Sequence, residues 1–163
     1  MPGILCAKIP GPFRLSAAHR RSIRDFARLL DDRVAGGRGF DCLLTGDDEL
    51  ARLNRDFLNH DYPTDVLSFP SGAKSGHLGD VAISLERAAA QAREFGHSIL
   101  DEVRILLLHG VLHLIGLDHE RDGGRMARVE RKWRAEFDLP ETLIARSQPP
   151  RLTAGRIALR STQ

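Results

Sequence analysis

The segment "HGVLHLIGLDH" places His109, His113 and His119 at i, i+4 and i+10, with Gly116 between the second and the third. Residues four apart on a helix lie one above the other on the same face, so His109 and His113 present their imidazoles to one point. Glycine tolerates the positive φ that ends a helix, so Gly116 lets the chain turn back and bring His119 to that point. Three neutral imidazoles suit Zn²⁺ and leave its fourth tetrahedral position open, the arrangement of a catalytic site rather than a closed structural one. A lone histidine on an apolar helix face is ordinarily a core residue, and a pair at i, i+4 arises often by chance. It is the complete string that points to a metal.

The same spacing occurs in metalloproteases, where a glutamate directly after the first histidine is the general base of peptide hydrolysis. Here that position is Gly110. A metal can still lower the pKa of its water to ~7 and polarise an oxygen without that glutamate. Phosphoryl chemistry tolerates the loss better than amide cleavage, because stabilising charge on phosphate oxygens is the larger part of the task. Gly110 therefore counts against a peptidase.

The elements that must position these residues are legible from periodicity. "GILCAKI" reads as a first strand. Ile23, Phe26, Ala27 and Leu30 mark an amphipathic helix within Ser16–Val34, ended by the "AGGRG" segment. "FDCLLT" is a strand, and "DDELARLNRDF" a helix with Leu50, Leu53 and Phe57 on one face. "DVLSFP" and "LGDVAIS" are two more strands joined by a Gly- and Ser-rich loop. Ser84 caps a third helix with an Ala88, Ala89, Ala92, Phe95 stripe, closed by Gly96. Ser98 and Asp101 form a capping-box pattern that opens the His-bearing helix, which runs to Gly116. A last helix carries Met126, Val129, Glu130, Trp133 and Phe137 before Pro140. This order predicts a single α/β (α+β) domain: a mixed sheet of about four strands, about five helices, and the His₃ site at a helix end. The strand order is not readable.

At 163 residues the chain is long enough for one core without disulfides or structural metal, and 42% hydrophobic with 28% charged residues is a globular composition. The longest apolar stretch, Ile105 to Leu117, is shorter than a bilayer span and holds two histidines. The N-terminal segment has no charged leader and is broken by Lys8, Pro10 and Pro12, so no secretory signal is expected. Cys6 and Cys42 form no CxxC pair and read as reduced thiols. A cytoplasmic protein with no membrane partner is the expectation. Net charge is only +2, but residues 142–163 hold Arg146, Arg151, Arg156 and Arg160 and no carboxylate. The expected division is a domain over 1–143 and a basic, flexible tail over 144–163, which either tracks phosphate or is merely solvated.

Taken together, "HGVLHLIGLDH", "PTDVLSFP" (63–70), "LGDVAIS" (78–84), "GHS" (96–98) and Met126 with Glu130 closely resemble the bacterial YbeY family of zinc-dependent endoribonucleases of ribosomal RNA maturation. The resemblance spans Leu53 to about Trp133, roughly half the chain; the tail lies outside it. It implies one zinc ion held by His109, His113 and His119, and cleavage of single-stranded RNA in small-subunit rRNA maturation and ribosome quality control. Ribosomal RNA, and ribosomal proteins beside it, are the implied partners. Two positions depart from the family pattern: Leu117 stands where tyrosine is usual, and Leu58 where an arginine is common. Leucine cannot hold phosphate. Arg55, one turn earlier, is a candidate to take that part.

Beyond the ligands, the catalytic candidates are Arg55, Asp65 and Asp118, and the RNA-binding candidates are Arg55, Tyr62, Arg121 and Arg125. Asp118 either orients an imidazole or caps the next helix, with capping favoured. Asp65 is a base, a 2′-OH acceptor or a hydrogen-bonder at a strand start, with the last favoured. Phe57, Tyr62 and Phe69 are stacking candidates or core, and Phe69 reads as core. Arg121, Arg125, Arg128, Arg131, Lys132 and Arg134 make a basic face on the last helix, which either tracks phosphate or, paired with Glu130 and Glu136, is an ordinary solvated face. Of the other histidines, His19 reads as an exposed helix residue, His97 as a loop residue, and His60 and His77 as solvated. Water and the substrate's own 2′-OH both remain open as nucleophile, and only the second passes through a 2′,3′-cyclic phosphate. Two other readings compete: a non-catalytic zinc-containing assembly factor that binds RNA or a ribosomal protein, and a three-histidine peptidase, disfavoured by Gly110.

Overall fold

The computed structural model describes residues 2–6, 14–60, 64–73, 76–118 and 122–140. The chain order is β1 (Gly3–Cys6), α1 (Ala17–Arg33), β2 (Asp41–Thr45), α2 (Asp47–Leu58), β3 (Val66–Pro70), β4 (Gly79–Ser84), α3 (Leu85–Phe95), α4 (Ile99–Leu114) and α5 (Arg125–Glu136). The strands form one mixed sheet in the order β1-β2-β4-β3. The pairs β1·β2 and β2·β4 are parallel, whereas β3 runs antiparallel to β4, with Ser68 opposite Val81. The expected fold class, strand count and helix count are all found.

Alternation along the strands sorts the side chains onto two faces. Cys42, Leu44, Val66, Val81 and Ile83 join Ile23, Phe26 and Leu30 of α1 and the apolar side chains of α4 in the main core. Leu67 and Ala82 point the other way and pack with Leu50 and Leu58 of α2. The helix ends follow local chemistry. The Ser16, Ser84 and Ser98 hydroxyls accept the amides of His19, Arg87 and Asp101 at 3.0, 3.2 and 3.0 Å. Gly96 closes α3 with φ 74°.

Packed by α1, α3 and α5 and by strands β3 and β4, α4 is apolar on almost every side, as a fully enclosed helix must be. Its buried residues include Val103, Ile105, Leu106, Leu107, Leu108, Gly110, Val111 and Leu112. Among the described residues, no helix is long and apolar enough to cross a membrane.

One expectation needs correction. The buried stripe of α2 is Leu50, Asn54 and Leu58, not Leu50, Leu53 and Phe57; Phe57 is 59% exposed. Leu58 lies one position past the Leu50–Leu53–Phe57 stripe and anchors α2 against Leu67 and Ala82, which turns Phe57 outward. Residues 7–9 of the expected first strand, and the basic tail with its boundary at 143, lie outside the described residues.

Candidate metal centre

His109 and His113 occupy the last two turns of α4, and their rings meet edge to face with centroids 4.8 Å apart. The helix stops at Leu114, the amides of Gly116 and Leu117 bond back to the carbonyls of His113 and Leu112, and Gly116 takes φ 104°. This is the glycine-dependent reversal that the spacing predicts. His119 itself lies outside the described residues, as do Tyr62 and Arg121.

Close approach to the sheet fixes the height of the two histidines. The Ser68 hydroxyl donates to the Gly110 carbonyl at 3.1 Å. A Cβ built on Gly110 would lie 2.7 Å from Val81 Cγ1 and 3.1 Å from Ser68 Oγ. The position that carries glutamate in the metalloproteases therefore points into the sheet, where no side chain fits.

A carboxylate from α5 orients the first of these imidazoles. Glu130 Oε1 lies 2.7 Å from His109 Nδ1, and both side chains are largely buried, at 14% and 13% exposure. An ionised carboxylate only accepts hydrogen bonds, so Nδ1 carries the proton and Nε2 keeps its lone pair for a ligand. Behind Glu130 stands Arg134, with a guanidinium nitrogen 3.8 Å from Oε2 and a buried side chain. Arg134 thus leaves the expected basic face; Arg125, Arg128, Arg131 and Lys132 are exposed. The donor set, two converging imidazoles with one fixed as the Nδ1–H tautomer, fits a zinc ion.

The remaining candidates are spread over the molecule. Asp65 is buried, accepts from the Gln91 amide at 3.2 Å, and passes its carbonyl to the Ser84 amide. Arg55 is exposed near the end of α2, on the opposite face of the sheet from α4, with Nε 3.7 Å from Asp56 Oδ1. Asp118 is part-buried just past the Gly116 turn. Capping of α5 falls not to Asp118 but to Asp122, whose carboxylate accepts the amides of Gly124 and Met126 at 3.0 and 2.7 Å. Its position four residues before Met126 suits that role and Asp118 stands too far upstream.

His97 and His77 are also more engaged than their loop positions suggest. His97 Nε2 lies 2.6 Å from Glu102 Oε1 in a buried pair that ties the α3–α4 turn to the start of α4. On the α2 face, His77 Nε2 lies 3.4 Å from Asp80 Oδ1 and 3.7 Å from Asp41 Oδ2. Asp41 and Asp80 are direct partners across β2 and β4. These three exposed side chains form a possible cation-binding group, and the imidazole between two carboxylates is also an ion-pair arrangement in its own right. Beside them runs an apolar groove of about 500 Å³, lined by Leu5, Leu43, Leu53, Phe57 and Phe69 with Asp41 and Asp80. Phe69 is part-buried there, stacked edge to face on Phe57 with ring centroids 5.8 Å apart.

Comparison with known proteins places this geometry. The sequence model described as endoribonuclease YbeY matches residues 16–138. Proteins named endoribonuclease YbeY from Solibacter usitatus and Koribacter versatilis are 63% and 49% identical to it. The matched regions cover 79% and 76% of this chain and 86% and 82% of those proteins. A protein of that name from Helicobacter pylori J99 is 42% identical over 76% of this chain and 90% of its own. A solution structure from Thermotoga maritima superposes with TM-score 0.56 at 25% identity, covering 91% of this chain and 94% of that one. With the family match extending from the cap of α1 past the end of α5, the chain belongs to the endoribonuclease YbeY family.

Proposed function

We propose that this protein is a zinc-dependent endoribonuclease that cuts single-stranded RNA during small-subunit rRNA maturation and ribosome quality control, with His109, His113 and His119 as its metal ligands. The observation that carries the reading is the pair of imidazoles converging at the end of α4, one of them fixed by Glu130, in a chain of this family. When bound, the ion supplies Lewis-acid stabilisation of charge on the scissile phosphate.

The chain's own residues hold and orient the RNA. Arg125 is exposed in the first turn of α5, where a guanidinium can hold an RNA phosphate. Arg55 on the far face tracks the strand farther from the cut. If Arg55→Ala leaves both cleavage and binding unchanged, it has no such part. Asp65, tied to Gln91, serves structure, and Asp118, part-buried just past the Gly116 turn, is the candidate among the described residues to take a proton.

The free thiols of Cys6 and Cys42 suit a reducing cytoplasm. The acid-rimmed groove supports a ribosomal protein as second partner, since its apolar lining and paired aspartates suit an apolar segment flanked by basic side chains.

The test is cleavage of an end-labelled single-stranded RNA by the protein, by the protein after metal chelation, and by His113→Ala prepared side by side. Loss of cutting in the last two with RNA binding kept supports the reading. Equal cutting by all three, or binding without cutting by any, replaces it with the assembly-factor reading.

A further inference from the structure

We infer that Glu130, braced by Arg134, is the positioning residue that makes His109 a metal ligand. This rests on the reading of His109 as part of a zinc site. An imidazole can ligate through either ring nitrogen, and free in water it favours the Nε2–H tautomer, the wrong one for binding through Nε2. The 2.7 Å bond from His109 Nδ1 to Glu130 Oε1 selects the other tautomer and fixes the ring plane at once.

Glu130 is itself held. It lies one turn before Arg134 on α5, and the Arg134 guanidinium approaches its second oxygen at 3.8 Å with the side chain only 5% exposed. The three groups form a line from a buried cation through a carboxylate to the imidazole, so the last helix sets the geometry of a ligand on α4. Met126 and Leu139, both buried in the main core, fix α5 on either side of this line. Water reaches neither Glu130 nor His109 freely, which keeps the bond from being exchanged for solvent.

The tests use Glu130→Gln, which keeps an acceptor oxygen, Glu130→Ala, which does not, and Arg134→Met, with folding checked by thermal unfolding of each metal-free protein. Zinc affinity is read by competition with a chelator, and the His109 tautomer by nitrogen–proton NMR of the metal-free protein at about pH 8.5, roughly two units above the ordinary histidine pKa. The expected result is a loss of roughly 10–100-fold in zinc affinity for Glu130→Ala, a smaller loss for Glu130→Gln and Arg134→Met, and a shift of His109 to the Nε2–H form in Glu130→Ala alone. If Glu130→Ala keeps the Nδ1–H tautomer as fully as the unaltered protein, or its zinc affinity, the positioning role is overturned. Should the unaltered protein itself hold no zinc, the metal reading falls instead, and the tautomer measurement still decides what Glu130 does.

Discussion

Gly110 and the two cysteines show how far single residues can be read. The sequence marks Gly110 as a missing base; what it does not carry is that the position faces Val81 and Ser68 at a distance that excludes a Cβ. Gly110→Ala is therefore expected to lose about 1 kcal/mol, the balance of ~1–3 kcal/mol of overpacking against up to ~1 kcal/mol of helix propensity. Gly110→Glu adds a buried carboxylate and should not fold, so it cannot convert the site to a peptidase. Denaturant unfolding checks the first and expression with circular dichroism the second. Burial pushes the Cys42 thiol far up, and Cys6 is raised less. A raised thiol binds its proton more tightly folded than unfolded, so this contribution to stability is complete below the ordinary thiol pKa near 9 and fades as pH rises above it. Thiol alkylation should accordingly modify Cys6 first and reach Cys42 only on unfolding.

For whole elements, legibility tracked how local the determinants were. Caps at Ser84 and Ser98 and the turns at Gly96 and Gly116 are short-range chemistry, and each stands where the pattern places it. The face of α2 was not legible, because the apolar stripe points to Phe57 whereas the buried one includes the polar Asn54, and only the sheet beneath decides between Phe57 and Leu58. Glu130 was missed as a partner for the same reason: His109 and Glu130 are 21 residues apart and meet only by helix packing. The two ends of α4 should respond differently to substitution. Ser98→Ala removes a cap and costs about 1 kcal/mol without touching metal affinity. Gly116→Ala forces an L-residue to φ 104°, and should weaken zinc binding as well as stability, because the chain leads directly from this turn to His119. Calorimetric unfolding with and without zinc separates the two.

Charge and packing over the whole molecule set the remaining expectations. The four arginines of residues 144–163 lie beyond the family match. If they meet phosphate, deleting that segment should flatten the salt dependence of single-stranded RNA binding by up to ~3 in logarithmic slope, at ~0.7 per phosphate neutralised. An unchanged slope makes the tail a bystander. The sheet order was beyond sequence reading because it depends on how the crossovers place β1 beside β2 and insert β4 between β2 and β3. That order makes β1 an edge strand paired on one side only, with Leu5 64% exposed, while α4 is enclosed by neighbours. Amide hydrogen exchange should expose this contrast. The amides of β1 open by local fraying, whereas those in the middle of α4 exchange only when the entire protein unfolds. His109 and His113 thus stand at the end of the helix that the rest of the fold encloses. If the imidazoles hold zinc as proposed, removing it should lower the protection of those α4 amides by the free energy of binding while leaving them better protected than β1, so that the site empties and refills within the folded protein.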